Sequence, residues 1–170
     1  MKESTCIVNG VSWSRQIGEI YTIEGQLGTK EAGLHITGDF SDTVLDAYKL
    51  AIKHIKRLLN NPLDDLSVHI HIEKPIDGPS CGLPIFVCLY AMLSDKPVTQ
   101  DFVFTGELTE TINLYPVGAL ESKIATADCM GFKGIVFPCQ HDHVVAPHKF
   151  LLCPISTILE AIPIALDLRA

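Results

Sequence analysis

The longest apolar run in the chain, Leu83 to Leu93, most constrains what the rest can fold into. It is about half the roughly 20 residues that a bilayer demands, so it is a segment for a protein interior and not a membrane span. A chain of 170 residues fits one domain, 1–170, long enough to bury about 70% of its unfolded surface without staples. Disorder is excluded by an apolar content of 47% and by the shortness of the polar runs. Thirteen Lys and Arg against twenty Asp and Glu leave a net charge of −7, which argues against nucleic-acid or anionic-membrane partners. The opening MKESTCIVNG has no apolar stretch that would mark it for export. Six cysteines without CxxC spacing, several inside apolar runs, read as reduced thiols and place the chain in the cytoplasm. Only 19% of residues are charged, a sparse cover that hints at buried subunit contacts.

No internal repeat, low-complexity tract or linker interrupts the chain. Cys6–Ser12, Glu19–Gln26 and Leu34–Thr37 read as short strands. Val44, Tyr48, Ile52, Ile55 and Leu59 recur at helical spacing, predicting a helix over 42–59 with Ser41 as N-cap and Pro62 past its end. Ser67–Glu73 alternates, with Val68, Ile70 and Ile72 on one face and His69 and His71 on the other. An apolar helix is expected over 79–93, a strand over 101–107, and its hairpin partner over 113–116. A helix over 120–130 should close on Gly131. Strands over 134–137 and 150–153 precede a last helix over 155–166, with an interruption expected at Pro163. Mixed short strands with about four helices and no strict alternation make the class α+β, or irregular α/β.

Two elements suggest chemistry. Ser80 lies in Asp77-Gly78-Pro79-Ser80-Cys81-Gly82, between a strand and the apolar helix, where backbone N–H groups and the positive helix end favour an anionic intermediate. Lys123, early in the next helix, flanks an apolar stripe of Leu120, Ile124 and Ala127. Alone, the first is also ordinary turn chemistry and the second a snorkelling lysine. A Ser80–His–Asp triad through His69 or His71 is an alternative. Cys139, His141, His143 and His148 share one loop, but their spacing matches no zinc pattern, and no metal is expected. Gly25 to Lys30 imitates a P-loop without the Gly-Lys-Ser/Thr that one requires.

Taken in order, these segments resemble the proteolytic domain of the Lon protease family. Asp77-Gly78-Pro79-Ser80 and the Lys123 in Gly118-Ala119-Leu120-Glu121-Ser122-Lys123 match that family's two active-site motifs. Thr105-Gly106-Glu107-Leu108 matches its Thr-Gly-Glu strand and Tyr115-Pro116-Val117-Gly118 the turn that follows. Val11-Ser12-Trp13-Ser14 and Ile20-Tyr21-Thr22-Ile23-Glu24 resemble its opening strands, His69-Ile70-His71-Ile72 the strand before the serine, and Gly134-Ile135-Val136-Phe137-Pro138 the strand after the lysine helix. The resemblance covers essentially the whole chain. It implies a Lon-type fold and a serine endopeptidase with a Ser80–Lys123 dyad, acting on unfolded polypeptide. Thr105 would orient the lysine amine, while Asp77 and Glu107 would be structural or regulatory, since a carboxylate beside Lys123 would raise its pKa. It further implies a hexameric ring and an ATPase, fused or separate, that brings ATP and Mg; the chain itself should need no cofactor. Cys81 stands where the family usually has Ala, a small-for-small change. Pro84 is expected to remove a helix hydrogen bond and crowd the Ser80 carbonyl, costing about 3 kcal/mol. It keeps open a second reading, a catalytically silent oligomerisation module.

Overall fold

The computed structural model describes residues 3–28, 31–61 and 63–166. The chain opens with a long hairpin of β1 (Ser4–Ser14) and β2 (Ile17–Gly28), paired from Ser4 opposite Leu27 to Ser14 opposite Ile17. Arg15 and Gln16 make its two-residue turn with positive φ at both positions, the conformation that follows the right-handed twist of the strands. β3 (Gly33–Phe40) leads to α1 (Asp42–Leu59), whose Val44, Tyr48, Ile52 and Ile55 are buried as the helical spacing predicts. Ser41 holds the N-cap position through its backbone: its carbonyl accepts the N–H of Val44 and Leu45, and its hydroxyl makes no cap bond. Asn60, left-handed at φ 47°, ends the helix, while Pro62 lies outside the described residues.

β4 (Ser67–Ile76) is followed by a 3₁₀ turn (Pro79–Cys81) and by α2 (Gly82–Leu93). The rest comprises β5 (Phe102–Phe104), β6 (Glu107–Leu108), β7 (Leu114–Tyr115), α3 (Leu120–Cys129), β8 (Gly134–Pro138), β9 (Leu151–Ile155) and α4 (Ile158–Ala165). Seven strands form one sheet in the order β3-β4-β2-β1-β5-β8-β9, and β6 pairs with β7 in a small second sheet. Only the β1–β2 and β2–β4 pairs are antiparallel within the large sheet, so every strand except β2 runs the same way. The residues that follow β4 and β5 therefore emerge on a single edge. The class is α+β, as the sequence indicates. No helix among the described residues is long and apolar enough to cross a membrane.

The apolar run forms the central element. α2 is buried from Gly82 to Leu89 and packs on β1 and β2, with α1 and α4 beside it. α3 covers the opposite sheet face, where Val11, Val103, Leu120, Ile124 and Ile135 make a second, smaller core. The half of that face carrying His69 and His71 stays open.

Three expectations need correction. The strand expected over 101–107 is broken in two: β5 belongs to the large sheet and β6 to the small one. The break falls at Gly106, whose N–H and carbonyl leave strand pairing to bond the Ser80 carbonyl and the Leu83 N–H, each at 3.0 Å. Pro84 does not kink the helix. Because α2 begins at Gly82, Pro84 sits in the first turn, where backbone N–H groups have no intrahelical acceptor anyway. The carbonyl it would have crowded, that of Ser80, is taken by Gly106. The last helix starts later than expected, at Ile158, under a capping box of Thr157 and Glu160, and it continues through Pro163, which lies on its exposed side.

Gly10 marks the seam of the sheet, opposite Tyr21 on β2 and Phe104 on β5. The Tyr21 ring lies over it, and a Cβ there would come within 2.3 Å of Tyr21 Cζ. Gly10→Ala should therefore cost about 1–3 kcal/mol by overpacking. Gly28→Ala, with nothing within 4 Å, should shift the urea midpoint far less. Equal midpoints for the two variants would contradict this packing.

Candidate active site

The site is assembled from three chain segments that meet at the edge where β4 and β5 end. The first is the turn after β4. Gly78 takes φ 100°, ψ 160°, which only glycine adopts without strain, and Pro79 then sets the 3₁₀ turn that carries Ser80. The second is the end of β5, where Thr105 is wholly buried and its N–H bonds the Val136 carbonyl of β8. The third is the start of α3. Ala119, left-handed at φ 53°, turns the chain into the helix, and its carbonyl accepts the Lys123 N–H at 3.0 Å.

The Lys123 amine reaches between the other two segments. Its Nζ lies 3.4 Å from Ser80 Oγ and donates to Thr105 Oγ1 at 3.2 Å, and the residue is only 4% exposed. Burial of the ammonium lowers its pKa from 10.5 to about 8, opposed in part by Cys81. That opposition needs a thiolate, and burial pushes the Cys81 thiol up to about 12, so near neutral pH Cys81 is an uncharged neighbour. The ion pairs among the described residues are Lys53–Glu110 and Lys133–Asp101. Neither Asp77 nor Glu107 is paired with Lys123, although both line the same cleft of about 400 Å³ along with Ser80, Trp13 and Val117. Such a constellation can deliver a serine oxygen to a carbonyl and accept its proton on a nearby amine.

Of the residues singled out from sequence, Ser80, Lys123, Thr105, Asp77 and Glu107 are thus brought together. His69 and His71 are not. They sit on the open face of β4, where Thr37 Oγ1 contacts both rings at 2.9 and 2.8 Å, and neither lines the Ser80 cleft. The histidine loop is also dispersed: Cys139 Sγ meets Ser156 Oγ at 3.2 Å, and His141 accepts the Val117 N–H. No group of three or more His, Cys, Asp or Glu among the described residues is placed to hold a metal. Of the P-loop-like stretch, Thr29 and Lys30 lie outside the described residues, while Gly25 and Gly28 belong to β2. Two features escaped the sequence reading. The wall formed by Trp13 had no signal beyond its opening-strand motif, and the His141 contact had none.

The family model for the Lon protease (S16) C-terminal proteolytic domain matches residues 1–148. The chain belongs to this family. The Lon protease of Methanosarcina barkeri is 28% identical over 176 residues, covering 95% of this chain and 22% of that protein. Those of Mycoplasma mycoides and Geobacter metallireducens are each 30% identical, covering 79% and 83% of the chain and 18% of their own length. The chain thus spans about a fifth of these curated relatives. In this Lon-family domain, Ser80 and Lys123 both fall within the matched segment.

The buried amine has a thermodynamic signature. Below pH 8 Lys123 is charged in both folded and unfolded chains, and the cost of burying that charge is fully present. Between about 8 and 10.5 the unfolded chain binds more protons than the folded one, so stability rises with pH. Relative to Lys123→Met, the wild type should gain stability across that window in denaturant titrations. A stability difference that is flat from pH 7 to 10.5 would contradict a buried, depressed amine.

Proposed function

We propose that this Lon-family domain is a serine endopeptidase in which Ser80 is the nucleophile and Lys123 its general base. What carries the reading is the Lys123 amine itself: buried, without a carboxylate partner among the described residues, and 3.4 Å from Ser80 Oγ. A serine hydroxyl is too weakly acidic to attack an amide unaided, and a lysine with a pKa near 8 is partly neutral at physiological pH. Neutral Lys123 takes the Ser80 proton as Oγ adds to the scissile carbonyl, then gives it to the departing amine. Water, deprotonated by the same amine, releases the acyl group from Ser80. Thr105 Oγ1 holds Nζ in line, and backbone N–H groups of the turn around Ser80 receive the developing oxyanion. Asp77 and Glu107 shape the cleft wall without entering the proton relay.

The substrate class in this reading is unfolded polypeptide, since an extended chain best reaches a nucleophile recessed in an open cleft. The scheme calls for no cofactor in these residues; ATP and Mg enter only through a fused or partner ATPase that unfolds the substrate. A cytoplasmic setting and a hexameric ring complete the proposal, the ring resting on family membership and sparse surface charge. Pro84, in the first turn of α2, lends no support to the alternative of a catalytically silent oligomerisation module.

Casein cleavage tests the core claim. Ser80→Ala and Lys123→Ala should abolish turnover with the fold intact, and Lys123→Arg should do nearly the same, because a guanidinium stays protonated. Wild-type kcat/KM should rise with pH to a plateau, with its midpoint at about 8. Cleavage that survives Lys123→Arg would sink the dyad. Sedimentation equilibrium should show concentration-dependent association toward a hexamer; monomer alone at high concentration would overturn the ring for this chain.

A further inference from the structure

The wall of the cleft opposite the serine turn is held from behind by a side chain that does not line it. Val117 N–H donates to His141 Nε2 at 3.0 Å. A backbone N–H can only donate, so Nε2 must be the unprotonated nitrogen, and in the neutral ring the proton sits on Nδ1. The Phe137 ring meets the imidazole edge to face, with centroids 6.3 Å apart and planes at 66°, which limits how the ring can turn. The preceding residue, Gln140, donates through Nε2 to the Leu114 carbonyl at 2.7 Å. Two consecutive side chains thus grip both ends of the segment 114–117. The chain continues from there through Gly118 and Ala119, which line the cleft, into the helix whose first turn carries Lys123.

We infer that His141 is a positioning residue: its neutral imidazole pins Val117, and so fixes both the cleft wall over 116–119 and the entry of the helix that presents the Lys123 amine. The catalytic consequence rests on the peptidase reading above; the structural link does not. Protonation at Nε2 would set one N–H against another and break the bond. Burial, then the charge of Lys123, hold the imidazole below its ordinary 6.5, so the latch is closed at neutral pH and opens only as pH falls through that lowered value. The charge that acts on the ring is that of Lys123 from α3, the uncharged Phe137 of β8 packs against it, and Asp142 and His143 follow it in its own loop. Asp77 after β4 and Glu107 on β6 line the cleft that Val117 walls.

The test compares wild type, His141→Gln and His141→Ala in casein cleavage over pH 5–9. Glutamine keeps an acceptor near the Nε2 position and does not titrate. Below pH 8 the wild-type log kcat/KM should fall with a slope of about one as Lys123 protonates, then steepen toward two as His141 does. His141→Gln should hold the plateau to within about threefold and keep a slope of one throughout. His141→Ala should lose about tenfold or more in kcat at neutral and higher pH, where the wild-type latch is closed, and converge on the wild type at the acid end, with KM less affected, as misplacing a catalytic amine does. A wild-type kcat in His141→Ala, or the same acid limb in wild type and His141→Gln, overturns the inference. Long-range proton–nitrogen NMR of the wild type gives an activity-free readout. Nε2 should be unprotonated at neutral pH, and the Val117 amide should shift with the same midpoint as the His141 ring. A Val117 amide that ignores the titration overturns the latch even if His141→Ala fails to fold. Co-titration in a chain that cleaves nothing would sustain the latch and defeat the peptidase reading instead.

Discussion

Two backbone hydrogen bonds at Gly106 hold the site together. Through them the strand end that buries Thr105 is joined to the turn that presents Ser80, from the Gly106 N–H to the Ser80 carbonyl and from the Leu83 N–H to the Gly106 carbonyl. Backbone bonds of this kind leave little slack, since neither partner has a side-chain rotamer to adjust. The main chains of Thr105 and Ser80 are thereby held close together, and the Lys123 amine bridges their hydroxyls. The cost of breaking β5 from β6 is one short interruption of strand pairing. In return the Ser80 turn is anchored to the sheet rather than left as a free loop.

Lys123 depends on what is missing around it as much as on what is present. Burial lowers its pKa, and a paired carboxylate would reverse that effect. Asp77 and Glu107 share the cleft without forming such a pair, and the buried Cys81 keeps its proton. The amine is therefore tuned by its own burial at the cleft wall, and Thr105 supplies direction without charge.

Much of this was readable in the sequence because it is written locally. The helix over 42–59, the alternation of β4, and the short motifs around Ser80 and Lys123 each depend on neighbours within a few residues. The errors came where a partner lies far along the chain. Nothing in Thr105-Gly106-Glu107 shows that Gly106 will leave its strand to bond Ser80, so the sequence alone predicts an unbroken strand. Pro84 looked disruptive because its register in the helix depends on where the 3₁₀ turn stops, a matter of one or two residues. His141 lies among other candidate ligands in one loop, and its partner is a main-chain N–H 24 residues away, a kind of donor that no residue pattern marks.

The strand order has a further consequence, in time rather than space. Parallel neighbours such as β5 and β8 cannot be joined by tight turns, so they pair late and only after long stretches of chain have been brought together. Ser80, Thr105 and Lys123 come from three such stretches. A chain that has made only its first hairpin and α1 has not yet brought Lys123 to Ser80. The three side chains therefore meet only once contacts far apart in the chain have formed, and the cleft they line is a product of the complete sheet rather than of any one local segment.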